Sequence, residues 1–184
     1  MTRLGRMALI LALLIVVADQ AVKYWILEVL HLAEGQSITV LGPLHLTGVW
    51  NPGVSFGFLQ AQHDLVRWLL ATFSIVVATV LAVWVRSTQR PLFAVAVGLV
   101  IGGAIGNVID RIRFGAVEDF VDLSRAYFPW VFNVADSAIS IGICLLLLDM
   151  LRQDGRERAA KAAAEATPKT TPETTPETTP GDAS

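Results

Sequence analysis

The sequence predicts an all-α membrane protein: four transmembrane helices with a small extracytoplasmic loop region that contains β-structure. Its 184 residues are 54% hydrophobic, and the mean hydropathy is +0.58, which is too apolar for an ordinary soluble domain. Four segments are also long enough to cross a bilayer, which needs roughly 20 apolar residues. They cover approximately residues 7–27, 65–85, 92–109 and 132–151.

The first segment has two interpretations. Arg3 and Arg6 precede an apolar run over 7–17, which is typical of a secretory signal peptide. No small-x-small cleavage site follows, and apolar residues continue at helical spacing through ADQAVKYWILEVL. We therefore expect a retained span. Asp19 and Lys23 lie four residues apart on one face of it, either as a structural ion pair or as support for a polar site.

The loop between the first two segments, residues 28–64, is long for a four-helix protein. Its SITVLGPLHLTGVW stretch partly alternates apolar and polar residues between turn residues, which predicts short strands on the membrane surface. Asn51-Pro52-Gly53 then predicts a turn. Asn51 can start an Asx-type turn or bind a peptide backbone through its donor and its acceptor; local chemistry favours the turn.

The third segment follows a short loop over 86–90, so it should lie antiparallel to the second. It carries three glycines at every fourth position: Gly98, Gly102 and Gly106. Small residues at this spacing let helices approach closely in lipid. At the end of the segment Asn107, Asp110 and Arg111 share one helical face. We expect Asp110 to hold Arg111, either as a simple ion pair or as a device that orients a polar site.

Orientation follows from the Lys and Arg residues near the ends of the spans. One side carries the larger set, which is Arg3, Arg6, Arg86, Arg90, Arg152, Arg156, Arg158 and Lys161. The other side carries Arg67, Arg111, Arg113 and Arg125. The larger set predicts that both termini are cytoplasmic and that the loops at 28–64 and 110–131 face outward.

Acidic residues cluster between the third and fourth segments. Taken singly, each has a structural explanation: Asn133-x-x-Asp136 resembles a helix capping box, and Glu118, Asp119 and Asp122 fit a solvated acidic loop. Taken together they suggest more, because the third helix leaves and the fourth enters on the same membrane face, which keeps Asp119 near Asp136. Two carboxylates held together can share a proton and activate water.

Other kinds of site find little support. The net charge is −2 and no basic cluster is present, so we expect no nucleic-acid partner. The three histidines lack HExxH spacing, so we expect no metal. Cys144 lies in an apolar run and is expected to be a buried structural thiol. Residues 159–184, Ala-rich and then a Thr-Pro-Glu repeat, predict a disordered cytoplasmic tail.

Four blocks carry a resemblance to a known family. They are DQAVKYWI, NPGVSFGF, GGAIGNVIDRIRFGAVEDFVDL and FNVADSAISIG, in this order over roughly residues 7–151. In these blocks the chain resembles lipoprotein signal peptidase, the bacterial signal peptidase II. The resemblance implies that residues 1–158 form a four-span membrane peptidase domain and that the tail takes no part in catalysis.

The resemblance also selects the site. It implies an aspartic endopeptidase with a catalytic pair at Asp119 and Asp136, and with neither metal nor cofactor. The supporting or substrate-binding positions that it implies are Asp19, Lys23, Asn51, Gly53, Asn107, Asp110, Arg111, Asn133 and Ala135. Glu118 lies where the family usually has a non-acidic residue, and it is expected to raise the pKa of Asp119.

The implied activity is removal of the signal peptide from diacylglyceryl-modified prolipoproteins, by cleavage before the lipidated cysteine. The implied partners are these substrates and membrane lipids, and we expect a monomer in the bacterial cytoplasmic membrane with its active site near the outer face. Two alternatives stay open. One is a small proton-coupled transporter with a relay of Asp19, Lys23, Asp110 and Asp136, and the other is a non-catalytic assembly protein.

Overall fold

The computed structural model of the chain describes residues 1–53 and 60–166. Most of the NPGVSFGF block, from residue 54 on, and the tail beyond residue 166 lie outside these residues. The described part contains four long helices and one small antiparallel sheet. The site described below lies within the compact unit Met1–Asp149.

The four predicted spans correspond to four helices. They are α1 (Arg3–Tyr24), extended by a π-helical turn over Trp25–Val29, then α2 (Gln60–Val85), α3 (Pro91–Phe114) and α4 (Val134–Ala166). Each contains a stretch that is long and apolar enough to cross a membrane. The helix α4 continues past its predicted end at Leu151, because the Ala-rich stretch over 159–166 strongly favours helix. The first residues of the predicted tail are therefore helical.

Helix α3 is the central helix. In its membrane span, 72% of the residues are buried, against 17–22% in the spans of the other three helices. Both α1 and α2 pack against it. The predicted close approach at the glycines is confirmed. A Cβ atom on Gly98 would lie 2.7 Å from the carbonyl oxygen of Ala8, and one on Gly102 would lie 2.7 Å from that of Ala12. Any larger residue would push α1 away from α3.

The outer surface of α4 includes Cys144, which was expected to be buried. Cys144 is exposed, so the prediction of a buried thiol is wrong. Ile141 and Leu147 are also exposed, at 54% and 55%. An apolar run cannot distinguish burial in protein from contact with lipid, since both environments favour the same side chains.

The sheet has the strand order β1-β2-β3-β4, and each neighbouring pair is antiparallel. Strands β1 (Ser37–Leu41) and β2 (Leu44–Asn51) are the strands predicted in the first loop. Strands β3 (Val117–Asp122) and β4 (Val131–Phe132) were not predicted. The stretch whose acids, taken singly, fit a solvated acidic loop is thus a strand, in which Asp119 pairs with Val49 of β2.

Candidate active site

Strand β3 presents two acids to opposite sides, because successive side chains of a strand alternate. Phe120 packs with Ile26 and Leu32 in a buried apolar cluster, and Glu118 points to that same side. Asp119 points the other way, toward the start of α4. It is only 2% exposed. The strand therefore places one carboxyl at the candidate site and one behind it.

Asn133 joins β3 to the start of α4. Its Oδ1 accepts the backbone N–H of Asp136 (2.8 Å), as the predicted capping box requires. Its Nδ2 donates to Oδ1 of Asp119 (2.7 Å). The cap and the link between the two acids are therefore made by one side chain, and the structural and functional interpretations of this motif do not exclude each other.

Two further amides complete the contacts of the two aspartates. Nδ2 of Asn107 donates to Oδ1 of Asp136 (2.7 Å), and Oδ1 of Asn107 accepts from Nδ2 of Asn133 (3.2 Å). Nδ2 of Asn51 donates to Oδ2 of Asp119 (3.1 Å). Each carboxyl group is thus held by an amide from α3 or β2 that cannot itself titrate.

The predicted turn at Asn51 is present as well. Oδ1 of Asn51 accepts the backbone N–H of Gly53 (2.9 Å), which is an Asx turn. Gly53 has φ +82°, a left-handed conformation that favours glycine. The turn aims the amide group of Asn51 at Asp119.

The electrostatics of Asp119 suit proton sharing. Burial, and then the negative charge of Asp136, raise the pKa of Asp119 to about 7. Hydrogen bonds from Asn51 and Asn133 and the charge of Lys23 act in the opposite direction. A carboxyl group with this pKa beside a second carboxylate holds a proton near neutral pH, so the pair can act as an acid and a base together.

The expected pairing of Asp110 with Arg111 is wrong. Asp110 instead lies 2.6 Å from the ammonium group of Lys23. Nη1 of Arg111 donates to the backbone oxygen of Asn107 (3.2 Å), and its guanidinium group is attracted most by the carboxylate of Asp136 and less by that of Asp110, with which it forms no ion pair. Adjacent residues of a helix point in directions about 100° apart, so Asp110 faces α1 while Arg111 faces α4.

Comparisons with known proteins agree on one family. The family model for signal peptidase II matches residues 11–152. A lipoprotein signal peptidase of Caulobacter vibrioides is 57% identical over 80% of this chain and 88% of its own length. The chain belongs to the signal peptidase II family. The relative of Methylobacterium radiotolerans, also a lipoprotein signal peptidase, is 42% identical over 87% of this chain and 93% of its own length.

Two solved structures of bacterial membrane enzymes are similar to this chain in fold. One bacterial membrane enzyme matches with a TM-score of 0.70 and 28% identity, over 82% of this chain and 90% of the other. A second matches with a TM-score of 0.68 and 28% identity, over 79% and 92%. Membership of the signal peptidase II family does not favour the transporter hypothesis, because the family is one of peptidases.

Behind the candidate site lies a buried polar cluster that the sequence predicted only in part. Lys23 contacts Asp19 (2.7 Å) as predicted, and also Asp110. Gln20 was missed, although its side chain donates to Asp110 (2.8 Å) and to Asp19 (3.2 Å). The available signal was a polar residue within an apolar span, next to Asp19 and three residues before Lys23.

The remaining acids of β3 have different environments. Glu118 is 2% exposed, and burial, followed by the charge of Asp110, raises its pKa to about 7. Neither of its carboxyl oxygens has a hydrogen-bond partner among the described residues. Asp122 accepts hydrogen bonds from Ser124 and Thr47, which lower its pKa. Asp122 is thus a turn residue, as its position at the strand end suggests.

Small residues bring α4 close to α3 at the candidate site. Ala135, just before Asp136, is fully buried. A Cβ atom on Gly103 would collide with the carbonyl oxygen of Ala135, and one on Gly106 would lie 3.3 Å from its methyl group. A larger residue at any of these positions would move Asp136.

A cavity of about 420 Å³ opens beside Asp136. Its walls are mostly apolar and are formed by Leu123, Phe128, Trp130, Phe132, Ser137, Ser140 and Ile141. Trp130 is 66% exposed. A cavity of this size can hold an apolar side chain or part of an acyl chain directly against the carboxyl group.

Proposed function

We propose that this chain is an aspartic endopeptidase that removes the signal peptide from diacylglyceryl-modified prolipoproteins, cleaving before the lipidated cysteine. Membership of the signal peptidase II family supports the peptidase activity and the prolipoprotein substrate class. The observation that carries the aspartic mechanism is the link between Asp119 and Asp136. One amide, that of Asn133, contacts the carboxylate of the first and the backbone of the second.

The proposed reaction needs one proton on the pair. The ionised aspartate removes a proton from water, and the protonated one donates a hydrogen bond to the scissile carbonyl oxygen. Water adds to the carbonyl carbon, and the C–N bond then breaks as a proton passes to the leaving nitrogen. Because Asp119 has a pKa of about 7, we expect cleavage to decline above neutral pH, where the pair loses its second proton. The two apparent pKa values belong to the pair rather than to either residue.

Neighbouring groups are assigned to substrate binding. In this proposal Arg111 and Asn51 hold the substrate backbone, and Gly53 keeps the turn that aims Asn51. The apolar cavity beside Asp136 takes an apolar part of the substrate, and the outer faces of the helices contact lipid and the signal helix. Asn107, Asn133 and Ala135 keep Asp136 in place.

The proposed arrangement in the membrane follows from the charges and the spans. The protein is a bacterial cytoplasmic-membrane protein with four helices able to span the bilayer. We propose that both termini are cytoplasmic, so that the sheet and the aspartate pair lie near the outer face. Residues 1–158 carry the activity as a monomer, and residues 159–184 form a tail with no catalytic part. The mechanism requires neither metal nor cofactor.

The test uses the purified full chain and two synthetic precursor peptides of one sequence, with and without diacylglyceryl on the cysteine. We expect mass spectrometry to find a single cut immediately before the cysteine, in the lipidated peptide only. Added EDTA should leave the rate unchanged. Equal cleavage of both peptides would contradict the proposed substrate class, and loss of cleavage with EDTA that zinc restores would contradict the metal-free mechanism.

A further inference from the structure

Both aspartates of the pair are preceded by a residue whose backbone N–H is bound to a buried carboxylate. The N–H of Glu118 donates to Oδ2 of Asp110 (3.3 Å). The N–H of Ala135 donates to Oδ1 of Asp19 (2.9 Å). The positions of Asp119 and Asp136 therefore follow those of two carboxylates on other helices, Asp110 on α3 and Asp19 on α1.

A single ammonium group joins these two carboxylates. Nζ of Lys23 lies 2.7 Å from Oδ2 of Asp19 and 2.6 Å from Oδ2 of Asp110. All three side chains are buried, with Lys23 only 4% exposed. Gln20 adds a weaker second bridge, since its amide donates to Asp110 (2.8 Å) and to Asp19 (3.2 Å).

We propose that Lys23 is a positioning residue that sets the separation of Asp119 and Asp136. This inference rests on the proposed function, in which those two aspartates are catalytic. Without the ammonium group, Asp19 and Asp110 lose the shared ion pairs that hold them close to each other. As they separate, their hydrogen bonds draw the backbone of Ala135 away from that of Glu118, and the catalytic pair moves apart with them.

Packing transmits such a displacement instead of absorbing it. A Cβ atom on Gly106 would lie 2.7 Å from Oδ2 of Asp19, so α1 and α3 are in direct contact beside this carboxylate. Close-packed groups have no free volume in which to adjust. The charged groups that surround Lys23 and the pair come from all the neighbouring elements: Asp19 on α1, Glu28 in the π-helical turn, Asp110, Arg111 and Arg113 on α3, Glu118 on β3 and Asp136 on α4.

The test measures cleavage of the lipidated peptide by the Lys23→Met and Lys23→Arg variants. For each variant, kcat and KM are determined over a series of pH values. Lys23→Met should lower kcat about 100-fold, because small misplacements of catalytic groups cost about that much, with little change in KM. Its pH range of activity should narrow, since separated carboxyl groups interact less and their two apparent pKa values approach each other. Lys23→Arg should recover part of both effects, because it restores the cation.

The matched control is Arg86→Met. It removes an exposed cation beside Gly5, at the opposite end of α1 from Lys23, and kcat and the pH range should both stay as in the wild type. A folded Lys23→Met protein with wild-type kcat and pH range would overturn the proposal. If Lys23→Met does not fold, the Gln20→Leu variant tests the proposal instead, because it removes the second bridge between Asp19 and Asp110. Gln20→Leu should narrow the pH range of activity, to a smaller extent than expected for Lys23→Met. An unchanged kcat and pH range in Gln20→Leu would overturn the proposal.

The outcome is separable from that of the proposed function. If the wild type fails to cut the lipidated peptide, or if Asp119→Asn still cuts it, then the proposed function fails. If the wild type cuts, Asp119→Asn does not, and Lys23→Met behaves as the wild type, then only the role of Lys23 fails.

Discussion

At the scale of single residues, the two acids Glu118 and Asp119 show how strand alternation separates functions. They are adjacent in sequence, yet one faces the buried polar cluster and the other faces α4. Both have a pKa of about 7, mainly because burial disfavours the charged form. Only Asp119 is surrounded by amide donors. The carboxyl oxygens of Glu118 have no hydrogen-bond partner among the described residues, so the burial of this side chain costs stability once it ionises.

This difference gives a pH-dependent prediction for Glu118→Gln. The pKa of Glu118 rises from 4.5 to about 7 on folding, so the unfolded chain ionises first as pH increases. The wild type therefore loses stability between pH 4.5 and 7, and the loss stays constant at higher pH. The Glu118→Gln variant does not lose stability in this way, because glutamine does not ionise. Its free energy of unfolding, relative to the wild type, should increase by about 3 kcal/mol over that interval.

The measurement is thermal unfolding of both proteins in one detergent at a series of pH values. Glu34→Gln is the matched control, because Glu34 is exposed and its replacement should cause no such pH-dependent difference. A difference between Glu118→Gln and the wild type that stays constant from pH 4.5 to 8 would show that Glu118 titrates normally in the folded protein.

At the scale of elements, α3 acts as the support on which the other parts of the site are placed. Its glycines admit α1 and α4, its Asn107 contacts Asp136, and its Asp110 holds the backbone of β3. Helix packing in lipid relies on such close contacts, since lipid provides little hydrophobic driving force between helices. The catalytic geometry should therefore be sensitive to a single methyl group on α3.

Gly106→Ala tests this sensitivity. The added methyl group would lie 2.7 Å from a carboxylate oxygen of Asp19, and overpacking of this kind typically costs about 1–3 kcal/mol. We expect a lower melting temperature and slower cleavage of the lipidated peptide. Gly155→Ala is the control: outside its own helical turn, no atom of the described residues lies within 4 Å of the new methyl group, and alanine favours helix over glycine. Equal effects of the two substitutions would contradict the packing argument.

At the scale of the whole molecule, hydropathy was sufficient to predict the four helices, because each is a long apolar segment and needs no distant partner to be recognised. Strand β3 was not predictable in this way. Its sequence VEDFVD resembles a solvated acidic loop, and it becomes a strand by pairing with β2, about 70 residues earlier in the chain. The predicted pairing of Asp110 with Arg111 failed for a similar reason, since the partner of Asp110 is on another helix.

Some features of the candidate site could be predicted from the sequence and others could not. Spacing alone indicated that Asp119 and Asp136 could approach each other, and the family resemblance selected them among four aspartates. The capping interaction of Asn133 followed from the local sequence. The contacts of Gln20 and the burial of Glu118 could not be predicted from the local sequence, because both depend on how α1, α3 and β3 meet in three dimensions.

The catalytic role of the pair is tested most directly by cleavage of the lipidated peptide with Asp119→Asn and Asp136→Asn. Asparagine preserves the size of the side chain and removes its ability to exchange a proton. Each variant should keep a melting temperature near that of the wild type and lose at least about 1,000-fold in kcat. Asp122→Asn, on the same strand, should cleave normally. Substantial cleavage by a folded Asp119→Asn or Asp136→Asn protein would contradict the assignment of these two aspartates as the catalytic pair.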